Sequence, residues 1–380
     1  MRKGASEIIS TILMVLVSTV AVAVVLMIGM PAIDRAKEAG ITNEAMKNIQ
    51  VLDDTIREVA SEGVGSLRTL RLQISDGDYR IFNYSGNNSG AVEFRYSMKY
   101  NSFPLLGVKV DGNVKTSTGL STIGLVGYWR LNKINSTNYT LDDSGKGNDG
   151  QIITGGEDVF SKQVTGKFGN GLQFDGVNDY VDAGNANSLN PTFITISAWV
   201  KTSNTATFQN IVEKTNSTSS GFALYFRSSS PWIRFRINDT MGTSHDAEVT
   251  TQYQDGAWHH IVATFNGTTS KMFVDSIDKA TTSWTGSIPS TSVNLRIGYG
   301  TYYPNYFNGT MDEVQIWNRA LTAEEVQEDF NPKQSDFRIT IEYDKIDIMG
   351  VAKFGKGNQK VCIEKTGSEG TKAIVSVSVC

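Results

Sequence analysis

Three acidic pairs stand out as groups that could do chemistry: Asp142-Asp143 in LDDSGKGNDG, Asp312-Glu313 in GTMDEV, and Glu324-Glu325. Glycoside hydrolysis needs two carboxyl groups flanking the sugar bond at roughly 5–9.5 Å. Residues adjacent in a strand point to opposite faces, so none of these pairs supplies that geometry. No Glu-x-Asp-x-x-Glu strand occurs, and His259-His260 is again an adjacent pair that reads as packed or edge histidines. Neither a Gly-x-Ser-x-Gly elbow nor a phosphate-binding glycine loop stands in a suitable context. The sequence points away from an enzyme. The acids suit a hard cation better, since Ca2+ collects several carboxylate and carbonyl oxygens. Asp142, Asp143 and Asp312 fall in turns near the ends of strands expected to be neighbours. Capping of those turns through their own backbone is the competing reading, and it stays open. Asp175 and Asp179 in FDGVNDYV read as turn-shaping acids.

Aromatic residues give the third cluster. GYGTYYPNYFNGT (298–310) gathers Tyr299, Tyr302, Tyr303, Tyr306 and Phe307 beside Asn305. Flat rings with amide partners suit sugar rings. Phe307 and Tyr299 occupy strand positions expected in a core. That leaves Tyr302, Tyr303 and Tyr306, with Trp232 as a further aromatic, for a carbohydrate ligand; a loop packed on its own glycans is the alternative.

The elements that must position these groups are strands. ITISAWVKT alternates at Ile194, Ile196, Ala198 and Val200, and WHHIVATF reads as largely covered on both faces, which suits two stacked sheets. All six tryptophans and all three histidines lie between residues 125 and 320, and both cysteines lie outside. Leu70, Leu72 and Ile74 alternate before this block; Phe337, Ile339, Ile341 and Tyr343 alternate after it. The middle therefore reads as an insertion, residues 121–332, into a small β domain made of 67–120 and 333–380.

The N-terminus is of another kind. Arg2 and Lys3 precede 23 uncharged residues, Ile8–Met30, long enough to cross a bilayer. The basic tip favours an external remainder. Ile41, Ala45, Ile49, Leu52, Ile56 and Val59 then recur at spacings of three and four, an amphipathic helix ending near Gly63 and Gly65. A continuous helix over residues 5–62 would be a rod of roughly 85 Å. Arg2-Lys3-Gly4, Ala5-Ser6-Glu7-Ile8-Ile9 and the apolar run resemble the archaeal type IV pilin-like family. The resemblance implies a signal tip at 1–4, cutting by a prepilin peptidase between Gly4 and Ala5, and a filament helix at 5–66. It also implies packing against copies of itself or other pilins after leaving the membrane. Glu7 is the third residue of that mature chain, whereas bacterial relatives often carry glutamate at the fifth, so its part in the filament helix stays open.

The middle block carries a second resemblance. LVGYWRL, LDDSGKGNDGQI, GKFGNGLQFDGVNDYVDAG, ITISAWVKT, GAWHHIVATFNGTTSKMFVD and YFNGTMDEVQIWNRALTAEEV follow in the order of a laminin G-like, concanavalin A-type jelly roll. That family implies neighbouring first and last strands, and a structural Ca2+ carried over to Asp143 and Asp312. The expected class is α+β: a long N-terminal hydrophobic helix, a small β-sandwich pilin head, and an inserted antiparallel β jelly roll.

Net charge is −4, which gives no electrostatic case for nucleic acid. Eight Asn-x-Ser/Thr sequons, at Asn83, Asn87, Asn135, Asn138, Asn216, Asn238, Asn266 and Asn308, fit a glycosylated exterior. Outside the cell, Cys362 and Cys380 read as a disulfide. The expected role is a cell-surface filament subunit that displays its jelly roll for adhesion. A structural spacer on a signal-anchored protein and a glycan hydrolase remain the alternatives.

Overall fold

The computed structural model describes the chain except residues 1, 85–88, 99–107, 112–113, 119–120, 216–219, 231, 302–304, 333–335, 344 and 351–352, and the side chains of most of 2–31 and of a few strand ends. Helix α1 spans Arg2–Ser61. Beyond it the chain turns at Gly65, whose φ of +90° favours glycine. Ile41, Ala45, Ile49, Leu52, Ile56 and Val59 are all buried, in one cluster with Leu72, Ile74, Tyr79, Phe94, Ile339, Ile341, Val361 and Ile363 of the head sheet. Each large aliphatic side chain so buried contributes about 1.5–3 kcal/mol. Nearer the N-terminus, Met14, Val17, Met30 and Ile33 are exposed by 72, 60, 49 and 65 %. The backbone of Gly4, Ala5 and Glu7 is helical, and their side chains lie outside the described residues.

Among the described residues the head is one eight-stranded sheet. Its order is Ile346–Gly350, Lys372–Val379, Lys353–Glu369, Leu67–Tyr84, Ser89–Ser97, Asp336–Tyr343, Val114–Thr118 and Val108–Asp111. The first two strands run parallel and the other neighbours antiparallel. Val114–Thr118 and Asp336–Tyr343, the last strand before the insert and the first after it, pair with each other, Thr118 opposite Phe337.

The class expected from the sequence is corrected here. The chain is mostly β, with two helices among the described residues, and no described helix is long and apolar enough to cross a membrane. The head is not a β-sandwich. A single sheet needs only one apolar layer over its inner face, and the stripe from Ile41 to Val59 supplies it.

Among the described residues the insert is a sixteen-stranded sheet folded over on itself. Its ends, Ser244–Val249 and Ile277–Ser283, meet where His245 stacks on Trp284 at 3.9 Å. Trp129, Phe174, Phe222, Phe235, Phe265, Met311 and Ile316 fill the space between the layers. Leu125–Ile134 and Asn308–Trp317, near the two ends of the insert, are paired neighbours. Ile194–Lys201 is buried on both faces up to Val200 because a second helix, α2 (Ala323–Phe330), covers its outer side. Thr322 caps α2 and Glu325 reciprocates, a capping box legible in the Thr-x-x-Glu spacing. Val326 packs with Leu125, Tyr128, Val262, Phe273, Trp317 and Leu321 beneath it.

Candidate glycan-binding surface

Alternation along two short strands sets out the aromatic surface. Val181 and Ile297 are cross-strand partners, both fully buried in the sandwich core. Their neighbours Tyr180, Asp182 and Arg296 therefore point to the outside. Gly298 follows at φ +86°, where a Cβ would meet the Phe174 ring at 2.6 Å; only glycine lets the chain turn away there. The turn lifts Tyr299–Gly300 off the sheet to pair with Asn305–Tyr306. Tyr299 stacks on Tyr306 at 4.5 Å between centroids, and Tyr180 lies 5.4 Å from Tyr299 and 6.3 Å from Tyr306. The Arg296 guanidinium sits 5.6 Å over Tyr299.

Polar groups hold the trio. Asn210 donates to the Asn305 carbonyl at 3.1 Å, and Glu213 accepts from the Thr301 N–H and hydroxyl. Asp182 accepts from Asn294 and from the Gly184 N–H, each at 2.9 Å, and lies 3.9 Å from Arg296. Burial pushes the Tyr306 phenol up from its ordinary value. All three tyrosines are half-buried. Ring faces of this kind can pack against the C–H face of a sugar while Arg296, Asn294 and Asp182 meet hydroxyls.

Of the aromatics singled out in the sequence, Tyr306 belongs to this surface, and Tyr302 and Tyr303 lie outside the described residues. Trp232 is elsewhere, half-buried against the sandwich core. Tyr299, expected in the core, is instead half-buried in the short ribbon with Asn305–Tyr306, because Gly298 ends the strand; Phe307 is in the core. Tyr180, Asp182 and Arg296 were missed. Their signal was the alternation about Val181 in DYVDAG and about Ile297 in NLRIGYG.

The acids find protein partners. Asp312 is fully buried and accepts from the N–H groups of Phe168, at 2.8 Å, and Glu313, at 2.9 Å. Burial raises its carboxyl to about 7. Glu313, at a positive φ of 51°, accepts from the Tyr128 hydroxyl, and burial pushes its carboxyl up to about 8. Arg130 lies 3.8 Å from Asp143 and 3.7 Å from Glu313. Asp142 accepts from the N–H groups of Tyr128, Ser144 and Asn148, so it shapes its turn. Among the described residues no three His, Cys, Asp or Glu side chains gather as a metal site.

Asn135, Asn138, Asn266 and Asn308 lie in or beside turns, the last three exposed, whereas Asn238 is buried and hydrogen-bonded to Thr215 and Ser244 and cannot present a glycan. Asn87 and Asn216 and the Asn83 side chain lie outside the described residues. Cys362 and Cys380 are disulfide-bonded with Cα atoms 5.8 Å apart. Cys362 faces Ser378 across the hairpin, so the bridge runs diagonally.

Ser197, His260 and Asp329 also meet, a grouping no spacing in the sequence advertised. The Ser197 hydroxyl lies 2.7 Å from His260 Nε2 and 2.6 Å from Asp329 Oδ2, and Gln315 donates to Asp329 Oδ1 at 3.1 Å. Serine and aspartate contact the same imidazole nitrogen, at 2.7 and 3.1 Å, so there is no relay from acid through base to nucleophile. All three are buried, Ser197 and His260 beneath α2 and Asp329 on its inner side, out of reach of substrate. The group is a structural pin.

Residues 175–327 match the laminin G-type family described as the concanavalin A-like lectin/glucanases superfamily. The insert carries a concanavalin A-like domain. Among solved structures, this jelly roll is similar to the binding domain of Paraclostridial Mosquitocidal Protein 1, at 17 % identity and TM-score 0.45 over 55 % of this chain and 52 % of that one. It is similar to domain 4 of AbnA, a GH43 extracellular arabinanase from Geobacillus stearothermophilus in complex with arabinotriose, at 17 % identity and TM-score 0.43 over 54 % and 97 %. It also resembles the binding domain of Botulinum Neurotoxin DC in complex with SialylT, at 13 % identity and TM-score 0.42 over 55 % and 51 %. The chain thus spans about half the length of the two toxin structures. At such TM-scores none of the three speaks for a ligand of this chain. No curated protein matches the sequence.

Proposed function

We propose that the protein is a cell-surface adhesion subunit of the archaeal pilin-like kind, binding glycans through its jelly roll rather than hydrolysing them. The observation that carries the reading is the trio Tyr180, Tyr299 and Tyr306 with Arg296 and Asp182 on the outer side of the sandwich. Filament assembly through the N-terminal helix, after a prepilin peptidase has cut off the tip and the helix has left the membrane, is the second part. What supports it is the tip Arg2-Lys3-Gly4 and the contrast along α1, with Met14, Val17, Met30 and Ile33 exposed and the stripe from Ile41 onward buried under the head. A weak single-site binder gains avidity when many copies line a filament.

A glycan array with the wild-type chain and the Tyr299→Ala/Tyr306→Ala double variant tests the first part; binding that survives the double substitution removes it. Mass spectrometry of the native N-terminus tests the second. A chain starting at Ala5 supports it, and one that keeps Met1, Arg2 and Lys3 ends it. Calcium at Asp143 and Asp312 is a subordinate proposal, and it requires Arg130 to swing away from Asp143.

A further inference from the structure

The outer face of the head sheet is charged, yet much of it is buried. Val92, Phe94, Ile339 and Ile341 face α1, so by alternation Glu93, Arg95, Arg338, Thr340 and Glu342 face the other way. Glu93, Arg338 and Thr340 are nonetheless only 1, 2 and 0 % exposed. The jelly roll covers them. Glu328 of α2 reaches Arg95 at 2.6 Å and Arg338 at 2.7 Å, and Arg338 in turn meets Glu93 at 3.3 Å. At a second point Glu342 meets Lys115 at 3.2 Å, the Gly124 N–H at 2.5 Å and Lys146 of the insert at 3.8 Å.

The opposite side of α2 is fixed to the jelly roll. Asp329 is pinned to Ser197, His260 and Gln315, Phe330 stacks on Trp199 at 5.4 Å, and Val326 is buried. Arg319 holds Glu325 through two bonds of 2.7 and 2.6 Å and the Ile123 carbonyl at 2.8 Å, which ties the incoming strand to the same helix. Two covalent connections alone would let the insert rock about the line joining them. Two ionic contacts at separate places remove that freedom. Burying Arg338 is costly unless both acids remain in place, so its surroundings specify one orientation.

We propose that α2 is a two-sided clasp that locks the jelly roll to the head in one fixed orientation, so that a load on the binding domain passes through Glu328 and Glu342 to the sheet and helix α1. The clasp does not depend on which ligand the jelly roll takes.

Electron paramagnetic resonance distances in the full chain test it, with spin labels at Met241→Cys on the insert and Thr371→Cys on the head, both exposed. The native cysteines are bridged and take no label. The expected wild-type distribution is single and narrow. Glu328→Arg, set against Arg95 and Arg338, broadens it or adds a second population while near-ultraviolet circular dichroism is unchanged. A broad wild-type distribution overturns the clasp, as does a narrow one in the folded variant. If Glu328→Arg does not fold, the milder Arg95→Gln/Glu328→Gln pair is read in the same way.

Discussion

Replacing Asp329 by Leu removes the one acceptor shared by Ser197, His260 and Gln315. Ser197 and His260 can keep each other at 2.7 Å, so the loss falls on the Gln315 amide and on one of the other two donors. A buried polar group left without a partner costs about 1–3 kcal/mol, so two such groups put the destabilisation at roughly 2–6 kcal/mol. Asp329→Asn keeps one carbonyl oxygen and is expected to cost less, about 1–2 kcal/mol. Urea unfolding followed by tryptophan fluorescence is the assay, because Trp199 stacks on His260 at 5.0 Å and reports the pin directly. The midpoint should fall with the slope unchanged. A loss below about 1 kcal/mol for the leucine variant would mean that the three donors find other partners, and the account of Asp329 as their shared acceptor would be wrong.

Other consequences are quicker to check. Asp312 and Glu313 are raised by burial to about 7 and about 8, so the folded chain holds more protons than the unfolded one between their unfolded values and those pH values. Their contribution is fully present at the acid end of that window and is lost as pH rises towards 8; Asp312→Asn should flatten the rise in melting temperature on going from pH 8 to 5. Reducing Cys362–Cys380, which closes a separation of 18 residues, should destabilise the head by about 3 kcal/mol, read as an earlier thermal transition with dithiothreitol. Calorimetric titration with Ca2+ should give heat that Asp143→Asn abolishes if the cation proposal holds, and no heat retires it. Tyr306→Ala should weaken glycan binding with little change in melting temperature, since the ring is half-buried in a ribbon apart from the core.

Where one periodicity dominates, the sequence was enough. Ile41 to Val59 and Phe337 to Tyr343 each have a single apolar face, and both faces are buried. The head still differed from expectation, because a strand's alternation says that its face is covered without saying whether a sheet or a helix covers it. The site was legible only in part. Tyr306 announced itself through a run of tyrosines, whereas Tyr180 and Arg296 lie more than a hundred residues apart and meet only through the pairing of Val181 with Ile297. His260 looked like half of a histidine pair, and its partner Asp329 comes from a helix 69 residues on. Adjacent acids were expected to point apart, and Asp312 and Glu313 do go to different partners, but both are buried, and the positive φ at Glu313 leaves no trace in residue type.

Thr118 lies opposite Phe337 in an ordinary antiparallel pair, so more than two hundred residues of jelly roll occupy the place of a hairpin loop. A two-residue turn joining those strands would leave every ladder of the head sheet intact. The ground uncovered by such a deletion would be Glu93, Arg338 and Lys115, side chains that water can solvate, rather than grease that would seek another chain. The head is in that sense a socket. It can exchange one cargo domain for another of different specificity without redesign of the sheet or of the helix beneath it, provided the newcomer brings its two ends together and an acid to meet Arg338.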